Sequence, residues 1–168
     1  MKNKKLAFMA LFIAFSFIGG NIKIMGTVAF DSMPAFLGSL VLGPMYGAVI
    51  GAVGHLLDAV TSGFPLTLPV HVIIMICMAG VMYIFSLTQS FLEQRTSFGI
   101  ANMAALTIAA ILNGPVECLL VSPIIGLGAA IGTMPVLTLV SIINIFLAQV
   151  VYRALPKFIK EYHKEIKN

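Results

Sequence analysis

The chain has 168 residues, of which 60% are hydrophobic and 10% charged, against roughly 25% charged in a soluble domain. That balance, with a mean hydropathy of +1.05, marks an integral membrane protein and excludes an ATPase domain or a second, soluble lobe. The net charge of +4 sits mostly at the ends, at Lys2, Lys4, Lys5, Arg153, Lys157, Lys160, Lys164 and Lys167, which the positive-inside rule explains better than a nucleic-acid surface does.

Gly, Pro and polar clusters divide the chain into apolar segments over residues 6–20, 32–42, 44–62, 69–89, 98–121 and 133–155. A crossing helix needs about 20 apolar residues. The expectation is an all-α integral membrane protein, a six-transmembrane-helix bundle forming a single domain over residues 1–168. The opening MKNKK and its apolar run resemble a secretory signal, but the run leads into Gly19, Gly20 and Asn21 without a small-x-small cleavage site, so a retained first span is expected. Within it Ala10 and Ala14 lie one turn apart, either as a chance pair or as a smooth docking patch for a partner helix.

The second segment is short for a crossing and is separated from the third by Gly43 and Pro44, a residue well suited to a first helical position. Gly43, Gly47 and Gly51 then recur at four-residue spacing, a stripe that lets a neighbouring helix approach closely, read here as internal packing rather than a homodimer face. Cys77 and Cys118 fall inside apolar segments and suggest no disulfide framework. Gly126, Gly128 and Gly132 lack the spacing and the preceding strand of a nucleotide loop. The tail over 156–168 places Phe158, Ile159, Tyr162 and Ile166 on one helical face, which fits either a membrane-surface helix or a frayed end.

With the N-terminus inside, an even number of spans returns the basic C-terminus and Arg95 to the same side. This gives a multi-pass protein of the cytoplasmic membrane with both termini cytoplasmic. The outer connections are then 21–31, 63–68 and 122–132, rich in Gly and Pro and nearly without charge.

The polar interruptions fall at matching depths in this arrangement. Asp31 precedes the second segment, His55 and Asp58 share a face of the third, His71 opens the fourth, and Asn113 and Glu117 share a face of the fifth. Intramembrane ionisable groups are costly and usually functional, and this set fits a small-molecule pocket, a metal site or a proton relay. His and carboxylate donors suit zinc or nickel, yet no HxxxH or HExxH pairs two histidines on one helix, and neither a GxSxG serine nor paired aspartates suggest a protease. Asn144 and Gln149 read first as single interhelical hydrogen bonds, with Asn144 also placed to form a pocket floor.

No Lys or Arg besides Lys23 lies in the outer half, so a strongly anionic ligand is disfavoured. Carboxylates, Asn and His exchange hydrogen bonds with hydroxyls and ring nitrogens, and Phe30, Phe36, Phe64 and nearby methionines are expected to supply flat or adaptable apolar surface. A neutral or weakly basic, ring-containing, hydroxylated molecule fits. No cofactor is expected.

Residues 33–65, MPAFLGSLVLGPMYGAVIGAVGHLLDAVTSGFP, carry a P-x-F-L-G-x4-G-P-x2-G-x3-G pattern that resembles the substrate-binding S components of energy-coupling factor (ECF) vitamin transporters. The resemblance extends over the chain and includes the Ala10-x-x-x-Ala14 pair. It implies partnership with an ECF transmembrane scaffold subunit and two cytoplasmic ATPase subunits, with Ala10 and Ala14 facing the scaffold. It also implies ligand capture by the first, third and fifth connections, and toppling of the subunit in the bilayer to deliver cargo; ATP hydrolysis belongs to the partners, so the chain itself is no enzyme. Residues 54–71, GHLLDAVTSGFPLTLPVH, look most like S components assigned to alpha-ribazole, a flat, neutral, hydroxylated precursor of cobamides. Cobalamin, riboflavin and pantothenate are the vitamin alternatives, and the missing N-terminal His cluster sets aside the nickel and cobalt members. Asp31, His55, Asp58, His71, Asn113, Glu117 and Asn144 are the expected ligand contacts.

Overall fold

In lipid every backbone polar group must be satisfied within the protein, which confines apolar runs to helices or closed barrels. The chain takes the first solution. A computed structural model describes residues 2–21, 23–24, 28–157 and 159. Helix α1 (Lys2–Gly20) is followed by a short antiparallel ladder, β1 (Lys23–Ile24) against β2 (Val28–Ala29), and then by α2 (Ser32–Leu42), α3 (Pro44–Thr61) and α4 (Leu68–Glu93). Helix α5 (Phe98–Ile111) runs through a π-helical turn (Leu112–Val116) into α6 (Glu117–Ile125), and α7 (Leu127–Ala154) completes the bundle.

Among the described residues four helical stretches are long and apolar enough to cross a membrane, Asn3–Gly20, Leu68–Glu93, Phe98–Ile125 and Leu127–Ala154. Neither α2 nor α3 belongs to that set. Helix α2 has 11 residues, about 16 Å at 1.5 Å per residue, roughly half the hydrocarbon thickness. Helix α3 is 18 residues long but carries glycines, His55 and Asp58 in place of a continuous apolar surface.

The short helix occupies the centre. Nearly all of α2 is buried, enclosed by α1, α3, α4 and α7. Its Phe36 meets Phe85 of α4 edge to face with centroids 5.0 Å apart, and Ser86 donates 2.9 Å to the Ser39 carbonyl. Without a hydrophobic drive between helices in lipid, such close packing and hydrogen bonding hold the bundle. The glycine stripe serves this purpose: a Cβ on Gly47 would overlap Ser39 of α2, one on Gly51 would stand 2.8 Å from Met82 of α4, and one on Gly54 would stand 2.7 Å from Ser16 of α1. Gly43 instead makes the α2–α3 corner at φ 98°. The stripe is internal, while Met45, Val49, Val53, Leu57 and Val60 form the outer face of α3.

The connection expected over 122–132 is reduced to one residue. Gly126, at φ 86°, turns the chain from α6 into α7, and Gly128 and Gly132 stay helical. A single left-handed glycine can reverse the chain with no loop, which composition alone does not reveal.

At the end holding the start of α1 and the C-termini of α4 and α7, polar and basic groups gather. Gln89 donates 2.7 Å to Glu93 and also bonds the Asn102 side chain, and Gln149 donates 2.9 Å to the Asn102 carbonyl. Lys5 lies over Tyr46, Arg95 over Phe91 and Arg153 over Phe98. Gln149 is therefore an interhelical tie. The amphipathic pattern at Phe158, Tyr162 and Ile166, and the side chain of Lys23, lie outside the described residues.

Candidate functional site

A cavity of about 400 Å³ opens among α2, α3, α4, α6 and α7 at the opposite end of the bundle. Asp31 stands at the N-cap of α2, His55 and Asp58 on the last turns of α3, and His71 on the first turn of α4. Asn113 and Glu117 project from the π turn and the start of α6, and Asn144 from the middle of α7. All seven line this one cavity.

Three of them form a chain. His55 Nδ1 lies 3.3 Å from Asp31 Oδ2, and His55 Nε2 lies 3.2 Å from His71 Nδ1. The Phe64 ring meets that of His71 at a tilt of 58°, with centroids 5.8 Å apart. Ser62 Oγ reaches Asp58 twice, 2.7 Å from its backbone carbonyl and 3.4 Å from Oδ1, and the carboxylate packs against α1 where Gly20 has no side chain: a Cβ there would stand 2.6 Å from Asp58 Oδ1.

The π turn sets the other side. Five residues, Leu112–Val116 with Pro115 inside, widen the helix locally, a feature that often accompanies functional sites. Gly114 at its centre lets α7 approach so closely that a Cβ would overlap Thr138. Asn113 Nδ2 consequently donates 2.8 Å to Ser141 Oγ on α7. Among the described residues, Asn113 Oδ1, Glu117 Oε2 and both amide atoms of Asn144 are buried without a hydrogen-bond partner.

The α3–α4 turn carries backbone strain beside the cavity. Gly63, Phe64 and Thr67 take φ of 72°, 52° and 101°, and for the β-branched Thr67 this is a costly region. Thr67 joins Pro65 and Leu66 in the cavity lining.

Across residues 4–125, the chain matches the family described as "ECF transporter, substrate-specific component". It belongs to that family. The chain superposes on a solved structure described as "Structure and mechanism of the S component of a bacterial ECF transporter", with a TM-score of 0.61, 19% identity, and coverage of 96% of this chain and 98% of that one. At that identity the likeness concerns the fold. No curated protein matches the chain.

This S component is a substrate-binding subunit of an ECF importer, a membrane transport protein and not an enzyme. Its cavity differs from the sequence-based picture in its apolar walls. None of Phe30, Phe36 and Phe64 lines it; Phe36 is wholly buried in the core. Ile74, Met78, Val121, Ile124, Leu137 and Val140 line it instead. Helices that are apolar all round carry no periodicity to tell core from cavity. Ser141 and Thr133 were likewise invisible in the sequence, since serine and threonine hydroxyls commonly bond their own helix, as Thr133 does to the Ala129 carbonyl at 3.0 Å. Ala10 and Ala14 lie on the exposed face of α1, opposite the buried Phe12 and Ser16.

Among the described residues no three His, Cys, Asp or Glu side chains are grouped to hold a metal ion. The chain from Asp31 to His71 is linear, with the histidines bonded to each other rather than converging on one point.

Proposed function

We propose that this S component captures alpha-ribazole at the outer face of the cytoplasmic membrane for ATP-driven uptake. The observation that carries the reading is the chemistry of the cavity wall: among the described residues, carboxylates, histidines and amides line it together with aliphatic side chains, and none of the described residues lining it is Lys or Arg. Such a wall rejects phosphates and free carboxylates and suits a neutral, flat, hydroxylated molecule. Its volume of about 400 Å³ falls in the roughly 300–1,000 Å³ range of small-molecule sites. The resemblance of residues 54–71 to the alpha-ribazole subfamily favours this nucleoside over cobalamin, riboflavin and pantothenate.

Six helical stretches cross or enter the bilayer in this reading, with both termini cytoplasmic. The separation of Lys5, Arg95 and Arg153 from the cavity end supports that orientation. An ECF scaffold subunit and two cytoplasmic ATPases supply the energy, and the small, exposed surface at Ala10 and Ala14 meets the scaffold.

Isothermal titration of the purified, detergent-solubilised protein tests the ligand. Submicromolar, one-to-one binding of alpha-ribazole, without binding of cobalamin, riboflavin or pantothenate, is the expected result. Tight binding of one of the comparators instead would keep the cavity and replace the ligand.

A further inference from the structure

The cavity has two chemically distinct tiers. Residues that contribute to it descend α7 from Ala129 through Thr133, Leu137 and Val140 to Ser141 and Asn144, a path of about 22 Å at 1.5 Å per residue. Asp31, His55, Asp58 and His71 lie near the helix ends that frame the upper tier, and Glu117 stands one turn above Asn113. Asn113, Ser141 and Asn144 form the deepest tier, and all three are buried and uncharged. Between the tiers the wall is aliphatic, with Ile74, Met78, Leu137 and Val140.

The lower tier presents a defined set of unmet hydrogen bonds. Ser141 holds the Asn113 amide nitrogen at 2.8 Å, which fixes the side-chain orientation and leaves its carbonyl oxygen as an acceptor. Asn144 is fully buried one turn further on, and among the described residues its amide nitrogen and oxygen meet no partner. The floor thus offers two acceptor oxygens and one amide nitrogen, which carries two N–H donors, without any formal charge. Leaving such groups buried and unmet is costly, and at the bottom of a cavity they are placed to bond a molecule that enters it.

We infer that the Asn113–Ser141–Asn144 floor binds a vicinal pair of hydroxyls, so that the ligand enters sugar first with its flat ring held above, between the aliphatic wall and the ionisable tier. Two O–H groups supply two donors to the Asn113 and Asn144 carbonyl oxygens, and one hydroxyl oxygen accepts from the Asn144 amide. A ring nitrogen only accepts, so in this place it would leave both carbonyl oxygens of the floor unmet, and it is directed to the histidine tier. Ser141 is a positioning residue here, acting through Asn113. This inference rests on the reading of the cavity as the ligand site and adds the ligand's orientation to it.

The test compares Asn144→Leu and Asn144→Ala with the wild-type protein, using alpha-ribazole and its sugar-free ring 5,6-dimethylbenzimidazole as probes, and records thermal unfolding without ligand. The expected result has three parts. The sugar-free ring binds wild type at least tenfold more weakly than the nucleoside; both variants weaken the nucleoside at least tenfold and the ring less than threefold; and the ligand-free thermal midpoint of Asn144→Leu equals or exceeds that of wild type, because an unmet polar group has been removed. Equal losses for nucleoside and ring would overturn the orientation. A midpoint lowered by more than about 5 °C in both variants would show the amide to be a structural tie and overturn the floor itself. If alpha-ribazole fails to bind wild type, the ligand assignment fails separately: riboflavin with its side-chain-free ring then replaces the probe pair, and the thermal comparison still decides the floor.

Discussion

His55 and His71 stand 3.2 Å apart, Nε2 to Nδ1, and join the end of α3 to the start of α4. With Asp31 as a carboxylate accepting from His55 Nδ1 at 3.3 Å, a neutral His55 must accept at Nε2, so His71 Nδ1 carries the shared hydrogen. One ring's tautomer therefore fixes the other's, and the pair acts as a unit. Groups in one hydrogen-bonded network couple by about 0.5–3 kcal/mol. In a cycle of His55→Ala, His71→Ala and the double variant, titrated with alpha-ribazole, the double loss is expected to fall short of the summed single losses by an amount in that range. Strict additivity would mean that the two rings contact the ligand independently or not at all.

Asp58 of α3 and Glu117 of α6 both line the cavity. Replacing either by Ala is expected to weaken alpha-ribazole binding more than tenfold, equivalent to about 1.4 kcal/mol or more, the size of one lost hydrogen bond to a charged group. Unchanged affinity in both folded variants would remove these carboxylates from the site.

Gly20→Ala tests whether Asp58 is held from outside its own helix. In an open helical position this exchange stabilises by about 0.8–1 kcal/mol. Here the new Cβ would stand 2.6 Å from Asp58 Oδ1, so the expected outcome is a lower thermal midpoint together with weaker alpha-ribazole binding. A more stable protein with unaltered affinity would contradict the contact.

The glycine stripe yields a matched pair of stability predictions. Gly47→Ala drives a Cβ into Ser39, whereas Gly80→Ala on α4 meets nothing within 4 Å. Overpacking costs about 1–3 kcal/mol, so thermal unfolding in detergent is expected to show Gly47→Ala destabilised and Gly80→Ala neutral or stabilised. Equal midpoints would indicate that α2 and α3 separate readily in this region.

Ala10→Trp and Ala14→Trp address the exposed face of α1. Ligand titration of the isolated subunit is expected to be unchanged, while uptake in cells that also carry the scaffold and ATPases is lost. Normal uptake by both variants, with normal assembly, would place the scaffold contact elsewhere.

The polar half of the cavity was legible because each charge in an apolar run is a strong signal, and counting residues from the helix ends gives its depth. That count put Asp31, His55, Asp58, His71, Asn113 and Glu117 in the outer half and Asn144 below them, and the structure gathers all seven round one cavity. The apolar half was not legible. Phe36 looked like a cavity wall and is a core residue, because in a helix apolar on every side the sequence does not distinguish a lipid face, a core face and a cavity face. Gly128 and Gly132 looked like a loop and are helical, because Gly126 alone makes the turn.

Composition and the placement of charge by themselves determined a membrane protein built of helices and which polar residues stand out as a set, since burying ionisable groups in lipid is too costly to occur at random. Only the tertiary structure decided direction. Ala101, Ala105 and Ala109 on α5 repeat at the same spacing as Ala10 and Ala14, yet the first three are fully buried and the other two are exposed. The same small-residue pattern suits any close helix contact, and which neighbour fills it depends on how the helices rotate against one another. The π turn before Glu117 and the Asn113–Ser141 bond are decisions of the same kind, made by the approach of α7 to Gly114.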